Sequence, residues 1–117
     1  MRPAELIIYR QKLFEEKRFK EIYELYDDNS LLKQMYPSLT DYTIFMAKFA
    51  KQIKIKKIQI LDENIKSNLS KVTFFEYILD NQNSIVQFCI SYMKQVQGSW
   101  KIIKEIREKI DFKDSNS

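Results

Sequence analysis

The residues able to do chemistry are few in kind. Glu76 sits inside Phe74-Phe75-Glu76-Tyr77-Ile78. A carboxylate held among apolar neighbours loses hydration, which raises its affinity for a proton and suits it to general-base work. On the two-residue alternation of a strand, Glu76 shares a face with Val72, Phe74 and Ile78. A tyrosine would supply the matching proton donor, and Tyr9, Tyr23, Tyr26, Tyr42, Tyr77 and Tyr92 are the candidates. The plainer reading puts Glu76 at the rim of a partly covered face, paired with a lysine, and most tyrosines in the core with their hydroxyls at its edge. That reading is preferred. Tyr92 and Trp100 would fall on adjacent strands across a hairpin at Gly98 and are the expected lining pair of a ligand pocket. Phe74 and Tyr42 are the further ligand-binding candidates.

Other chemistry is excluded by what is missing. The 117 residues contain no His, one Cys and one Gly. There can be no Ser-His or Cys-His relay, imidazole metal ligand, zinc knuckle, CxxC pair or internal disulfide. One glycine cannot build a phosphate-cradling GxGxxG or Walker loop. Asp27-Asp28 lacks the further oxygen ligands of a hard-cation site and reads as a helix stop. No metal and no cofactor are expected. Cys89 reads as a small buried hydrophobe. Asn68-Leu69-Ser70 matches the N-glycosylation pattern by chance.

The net charge is +4. Lys48, Lys51, Lys54, Lys56 and Lys57 form a basic run with no acid between Lys48 and Leu61. As an anion or nucleic-acid patch it would need these charges on one surface beside aromatic stacking partners. The favoured reading is a helix end, supported by the helix dipole, followed by a lysine-protected edge strand. Lysine also outnumbers arginine, the better phosphate and base-edge ligand. Nucleic acid is therefore a disfavoured alternative. No run approaches the ~18 apolar residues of a membrane span, so no membrane partner is expected. The start lacks the features of a signal peptide, and the expected compartment is the cytoplasm. A secreted or lipoprotein-derived domain is the alternative if a leader has been removed.

The elements that must position these residues follow from periodicity. Pro3 suits a first helical turn, and Leu6, Tyr9, Leu13 and Phe14 recur at helical spacing. Phe19, Ile22, Tyr23 and Tyr26 repeat the pattern after a joint at Lys17-Arg18. Ser30 caps a short turn through Met35, which Pro37 stops. Ser38-Leu39-Thr40-Asp41 opens a third helix with Tyr42, Phe45, Met46 and Phe49 on one face. The period then changes to two. Ile53 and Ile55 alternate with polar residues, and Ile58 and Ile60 do so with the phase shifted, which predicts a bulge at Lys56-Lys57. Val72–Leu79 is rich in strand formers on both faces. Val86, Phe88, Ile90, Tyr92 and Val96 make a long alternating strand, and Trp100, Ile102 and Ile106 alternate through a last one. Residues 1–110 read as one domain and 111–117 as a polar tail. Helices followed by consecutive strands predict α+β, with helices on one face of an antiparallel sheet. Long, bulged strands bend, and a bent sheet around helices leaves a cone with a pocket.

This order of elements resembles the NTF2-like superfamily (cystatin-like α+β, SnoaL-like domains). The likeness covers residues 3 to 108. It rests on the Phe19–Tyr26 helix after a short joint, on Ser38-Leu39-Thr40-Asp41 with Phe45, and on Gly98-Ser99-Trp100-Lys101-Ile102, similar to a G-x-W-[KR]-I closing hairpin. The resemblance implies a strongly bent sheet, a pocket between helices and sheet, and frequent homodimers through the sheet's outer face. It covers isomerases, dehydratases and cyclases, and also non-catalytic binding modules. Its enzymes commonly use Asp with His or Tyr, so the absence of His removes the first chemistry and leaves the second. The expected function is a bacterial-type, non-catalytic module that binds a small apolar ligand or a protein partner and forms a homodimer. A small isomerase, cyclase or hydratase using Glu76 and a tyrosine is the alternative. Both faces of Val72–Leu79 are apolar, which argues independently for a partner on the face away from the helices.

Overall fold

The computed structural model describes residues 1–111. Four helices come first: α1 (Pro3–Glu15), α2 (Phe19–Glu24), α3 (Leu31–Met35) and α4 (Leu39–Gln52). Four strands follow: β1 (Ile53–Lys66), β2 (Leu69–Asp80), β3 (Asn83–Val96) and β4 (Ser99–Ile110). All pairings are antiparallel, in the order β1-β2-β3-β4. This is the expected α+β arrangement, a curled sheet with its helices on one face. Of the expected polar tail only Asp111 is described; residues 112–117 lie outside the described residues.

Short-range chemistry sets the element ends. The free N–H groups at the start of α1 are taken by carboxylates, Arg2 N donating to Glu5 and Ala4 N to Glu63 Oε2 of β1 at 2.8 Å. Ser38 Oγ accepts from Asp41 N at 3.1 Å, so the Ser-x-x-Asp motif does open α4. The hairpin between β3 and β4 uses Gln97 at φ 51° and Gly98 at φ 82°. Two successive left-handed residues make the tight turn whose twist matches the flanking strands. The only glycine stands where such a backbone is required.

Register decides which side chains meet the helices. A bulge between Ile55 and Lys57 restores the phase of β1, as its isoleucine spacing predicts. A second shift follows between Ile60 and Asp62. A third, on β4, was not legible. Met93 pairs with Ile102 but Tyr92 pairs with Lys104, leaving Ile103 as the extra residue. This reverses the phase of β4. Glu105 and Arg107 turn inward opposite Ser91 and Cys89, and Ile106 turns outward opposite Ile90. The simple alternation of Trp100, Ile102 and Ile106 is therefore broken.

The core lies between the helices and the inner face of the sheet. Leu6, Ile7, Leu13 and Phe14 of α1 pack with Ile22, Tyr42 and Met46 against the strands. The sheet contributes Val72, Phe74, Cys89, Met93 and Ile102, all with no exposed surface. Each large apolar side chain removed from water contributes about 1.5–3 kcal/mol before chain entropy is subtracted. On β3 the inner residues are Cys89, Ser91 and Met93, not the more apolar series. Val86, Phe88, Ile90 and Tyr92 occupy the other face, where they stay half-buried. Phe75 meets Phe88 there edge-on, with ring centroids 6.0 Å apart.

Candidate functional site

A cavity of about 460 Å³ opens between the helices and the concave face of the sheet. Its helix wall is mostly aromatic and aliphatic: Phe14 beside the charged Arg10 from α1, Ile22 from α2, then Tyr42, Phe45, Met46 and Phe49 from α4. Helical spacing places those four α4 residues on one face. Tyr36 stacks on Phe45 at 4.9 Å, Phe45 on Phe49 at 5.6 Å, and Phe49 meets Phe14 edge-on at 6.0 Å. Phe45 remains 40% exposed, so this aromatic row reaches the mouth. The sheet wall begins with Ile53, Ile55, Ile78 and Ile85 and then becomes polar, with Glu76, Asp80, Gln87, Arg107 and Lys109.

Beneath the polar end lies a buried ion-pair network. Arg10 of α1 donates from Nη1 to Glu105 Oε1 at 2.6 Å and to the Tyr26 hydroxyl at 2.8 Å. Tyr26 donates in turn to Glu105 Oε1 at 3.3 Å. Arg107 Nη1 lies 3.3 Å from the same oxygen, and Arg107 Nε lies 3.6 Å from Glu76 Oε1. Tyr26 is held over β4 by the backbone, since Asp27 N donates to Ile102 O and Ile102 N donates to Leu25 O, each at 2.9 Å.

Burial and charge oppose one another in this network. Burial alone would raise the Glu105 carboxyl; Arg10 and Arg107 outweigh it and hold the group at about 2. Burial would lower the Arg10 guanidinium, but Glu105 and Tyr26 hold it well above its ordinary value. The Glu105 charge, with Glu76 adding to it, raises Arg107 above its ordinary value and outweighs its partial desolvation. Burial pushes the Tyr42 hydroxyl up, and pushes the Cys89 thiol to about 12. Both stay neutral near pH 7.

The sequence candidates separate in space. Glu76 and Tyr42 both line the cavity. Glu76 is only 6% exposed, yet Arg107 faces it, so it is not the solitary carboxylate in an apolar pocket that a general base requires. Phe74 is fully buried in the core rather than on the cavity wall. Tyr92 lies on the outer face of the sheet, its ring 5.5 Å from Lys104 Nζ. Trp100 sits at the hairpin end of the inner face, half-buried against the core and off the cavity. The expected Tyr92–Trp100 lining pair is thus divided between two faces. The two-residue turn at Gln97-Gly98 sets Gln95 opposite Trp100, so Trp100 shares a face with Gln95 and Met93 and not with Tyr92.

Arg10, Glu105 and Arg107 were missed. Arg10 did carry a signal, because it falls on the buried stripe of Leu6, Ile7, Leu13 and Phe14, where a charge needs a partner. Glu105 and Arg107 carried none, since only the bulge at Ile103 turns them inward. The lysines at 48, 51, 54, 56 and 57 are exposed, with Lys57 Nζ 5.5 Å from the Tyr77 ring centre. Among the described residues, no group of three or more acidic or thiol side chains converges to hold a metal ion. No described helix is long and apolar enough to cross a membrane.

The sequence matches no protein-family model and no curated protein. Solved structures do resemble it. A SEC-C motif containing protein from Rhodopseudomonas palustris superposes with a TM-score of 0.71 at 16% identity, over 94% of this chain and 80% of that one. A designed NTF2-like protein gives 0.68 at 13% identity, over 90% of this chain and 96% of its own. A Bdellovibrio bacteriovorus protein gives 0.69 at 10% identity, over 92% of this chain and 40% of that longer one. At such identities the likeness concerns the fold alone. The helix order, the curled antiparallel sheet and these neighbours together show that the chain has an NTF2-like fold.

Proposed function

We propose that the protein is a non-catalytic binding module that takes a small, largely apolar molecule into its cavity and works as a homodimer. The carrying observation is the cavity, whose volume of about 460 Å³ suits a small ligand and whose helix wall is mostly aromatic and aliphatic, with Arg10 its one charged member. The ion pairing of Glu76 with Arg107 supports binding over proton transfer, because the carboxylate is already engaged. The dimer is supported by the outer face of the sheet. Phe75, Tyr77, Val86, Phe88 and Ile90 form an apolar patch on the side away from the helices, and Ile106 beside them is 43% exposed. A two-fold axis would place this patch against its own copy, the self-complementary solution usual for small homodimers.

Native mass spectrometry of protein purified from its own host tests both parts together. A dimer carrying a bound small molecule is the expected result. Empty, monomeric chains at micromolar concentration would contradict it.

A catalytic reading has one observation in its favour: Glu76 and Tyr42 face the same cavity, as a carboxylate–tyrosine isomerase or cyclase requires. Turnover of a cavity ligand that is lost in both Glu76→Gln and Tyr42→Phe, with ligand binding retained, would establish that reading.

A further inference from the structure

The cavity is two-sided. Its helix wall is aromatic, while β4 sends Glu105, Arg107 and Lys109 in a row along its inner face. Arg107 lies opposite Cys89, and Lys109 lies opposite Gln87, which also lines the cavity. Strand geometry separates the two cationic residues by ~6–7 Å along the chain, a span that one carboxylate between two long side chains can bridge.

Charges of both signs meet in this wall, and its cations keep donors to spare. Glu105 takes Arg10, Tyr26 and Arg107 at Oε1 while its buried Oε2 has no hydrogen-bond partner, and Asp80 accepts only from amides, Gln52 at 2.8 Å among them. Glu76 has Arg107. Arg107 shares those carboxylates through contacts of 3.3 and 3.6 Å only, and its side chain is 39% exposed. Lys109 makes no ion pair with a described residue. Behind them Arg10, 8% exposed, keeps Nη2 buried with no hydrogen-bond partner. Unspent N–H donors that share a cavity with an apolar wall ask for an acceptor on an apolar body. A guanidinium fork matches a carboxylate in shape as well as charge.

We infer that the ligand is an amphipathic organic acid, its carboxylate seated at Arg107 and Lys109 and its apolar body along Tyr42, Phe45, Met46 and Phe49. The inference rests on the cavity being a binding site, as proposed above.

Calorimetric titration of the full chain with decanoic acid, 1-decanol and decylamine at low salt and neutral pH tests it. Decanoic acid should bind about tenfold or more tightly than 1-decanol, and decylamine more weakly than either. Lys109→Gln, at an exposed position, should remove several-fold of the acid's advantage and leave the alcohol's affinity unchanged. Arg107→Gln should remove most of the advantage, with Arg107→Lys restoring part. Equal affinity for acid and alcohol, or preference for the amine, overturns the carboxylate assignment while leaving an apolar binding site standing. Failure of all three to bind contradicts the binding site itself.

Discussion

Arg10 Nη1 lies 2.6 Å from Glu105 Oε1, joining the first helix to the last strand across 95 residues of sequence. Both side chains are under 10% exposed, so each charge depends on the other for compensation. Removing one partner leaves a buried, uncompensated charge, the costly case for ion pairs. Arg10→Met should therefore cost about 3–5 kcal/mol of unfolding free energy in urea titration. The double variant Arg10→Met/Glu105→Gln should recover part of that loss. A single variant as stable as the wild type would show that the pair holds nothing together.

The same pair predicts how stability depends on pH. The Glu105 carboxyl, ordinarily near 4.5, is held at about 2 in the folded chain. A group with a lowered folded value contributes stability above its unfolded value and loses it as pH falls. The urea midpoint should drop as pH is lowered from about 4.5 toward 2. Glu105→Gln should be less stable at pH 7 and should flatten this dependence. A wild-type midpoint that stays level down to pH 3 would contradict the assignment.

The proposed dimer through the outer face of the sheet can be tested at Phe88. Phe88→Glu puts a charge at the centre of the apolar patch, opposite Phe75. It should weaken the dimer by about 2 kcal/mol or more, roughly thirtyfold in dissociation constant, as for a central aromatic contact. The fold should be retained, because Phe88 makes no part of the inner core. Light scattering coupled to size exclusion reads the change, and a wild-type chain that elutes as a monomer would dispose of this interface.

Cys89 has no exposed surface, and burial pushes its thiol up to about 12. The reactive thiolate is thus scarce near neutrality. Ellman's reagent at pH 8 should label the native protein at least a hundredfold more slowly than the urea-unfolded chain. Rapid labelling of native protein would mean that the β3–β4 interior opens far more readily than its packing indicates.

Much of this architecture is written in residue spacing. The stripes of α1 and α4, the Ser38 cap, the bulge before Lys57 and the turn at Gly98 are each local patterns found where they are expected. The second helix instead ends at Glu24, and Tyr26, expected on its stripe, bridges to Ile102 of β4. The site is less legible, because it depends on which face of a strand turns inward. On β3 the more apolar series, Phe88 to Tyr92, faces away from the helices, while Cys89, Ser91 and Met93 face them. An uncovered, apolar outer face misleads any rule that sends hydrophobic residues inward. On β4 one extra residue, Ile103, reverses the phase and brings Glu105 and Arg107 beneath the cavity. Glu76 and Tyr42 were legible as cavity candidates because neither lies beyond such a reversal, although Glu76 is buried opposite Arg107 and not paired with a lysine at a rim.

The central claim is that the cavity beneath α4 binds a small molecule. Met46 lines it and is 8% exposed, so Met46→Trp fills the space from within. Calorimetric titration of decanoic acid and 1-decanol into wild-type and Met46→Trp protein, with unfolding midpoints confirming that both are folded, tests the claim directly. Saturable binding of one molecule per wild-type chain is expected, with at least a tenfold loss in the filled variant. No binding to the wild type, or equal binding to both, would contradict it.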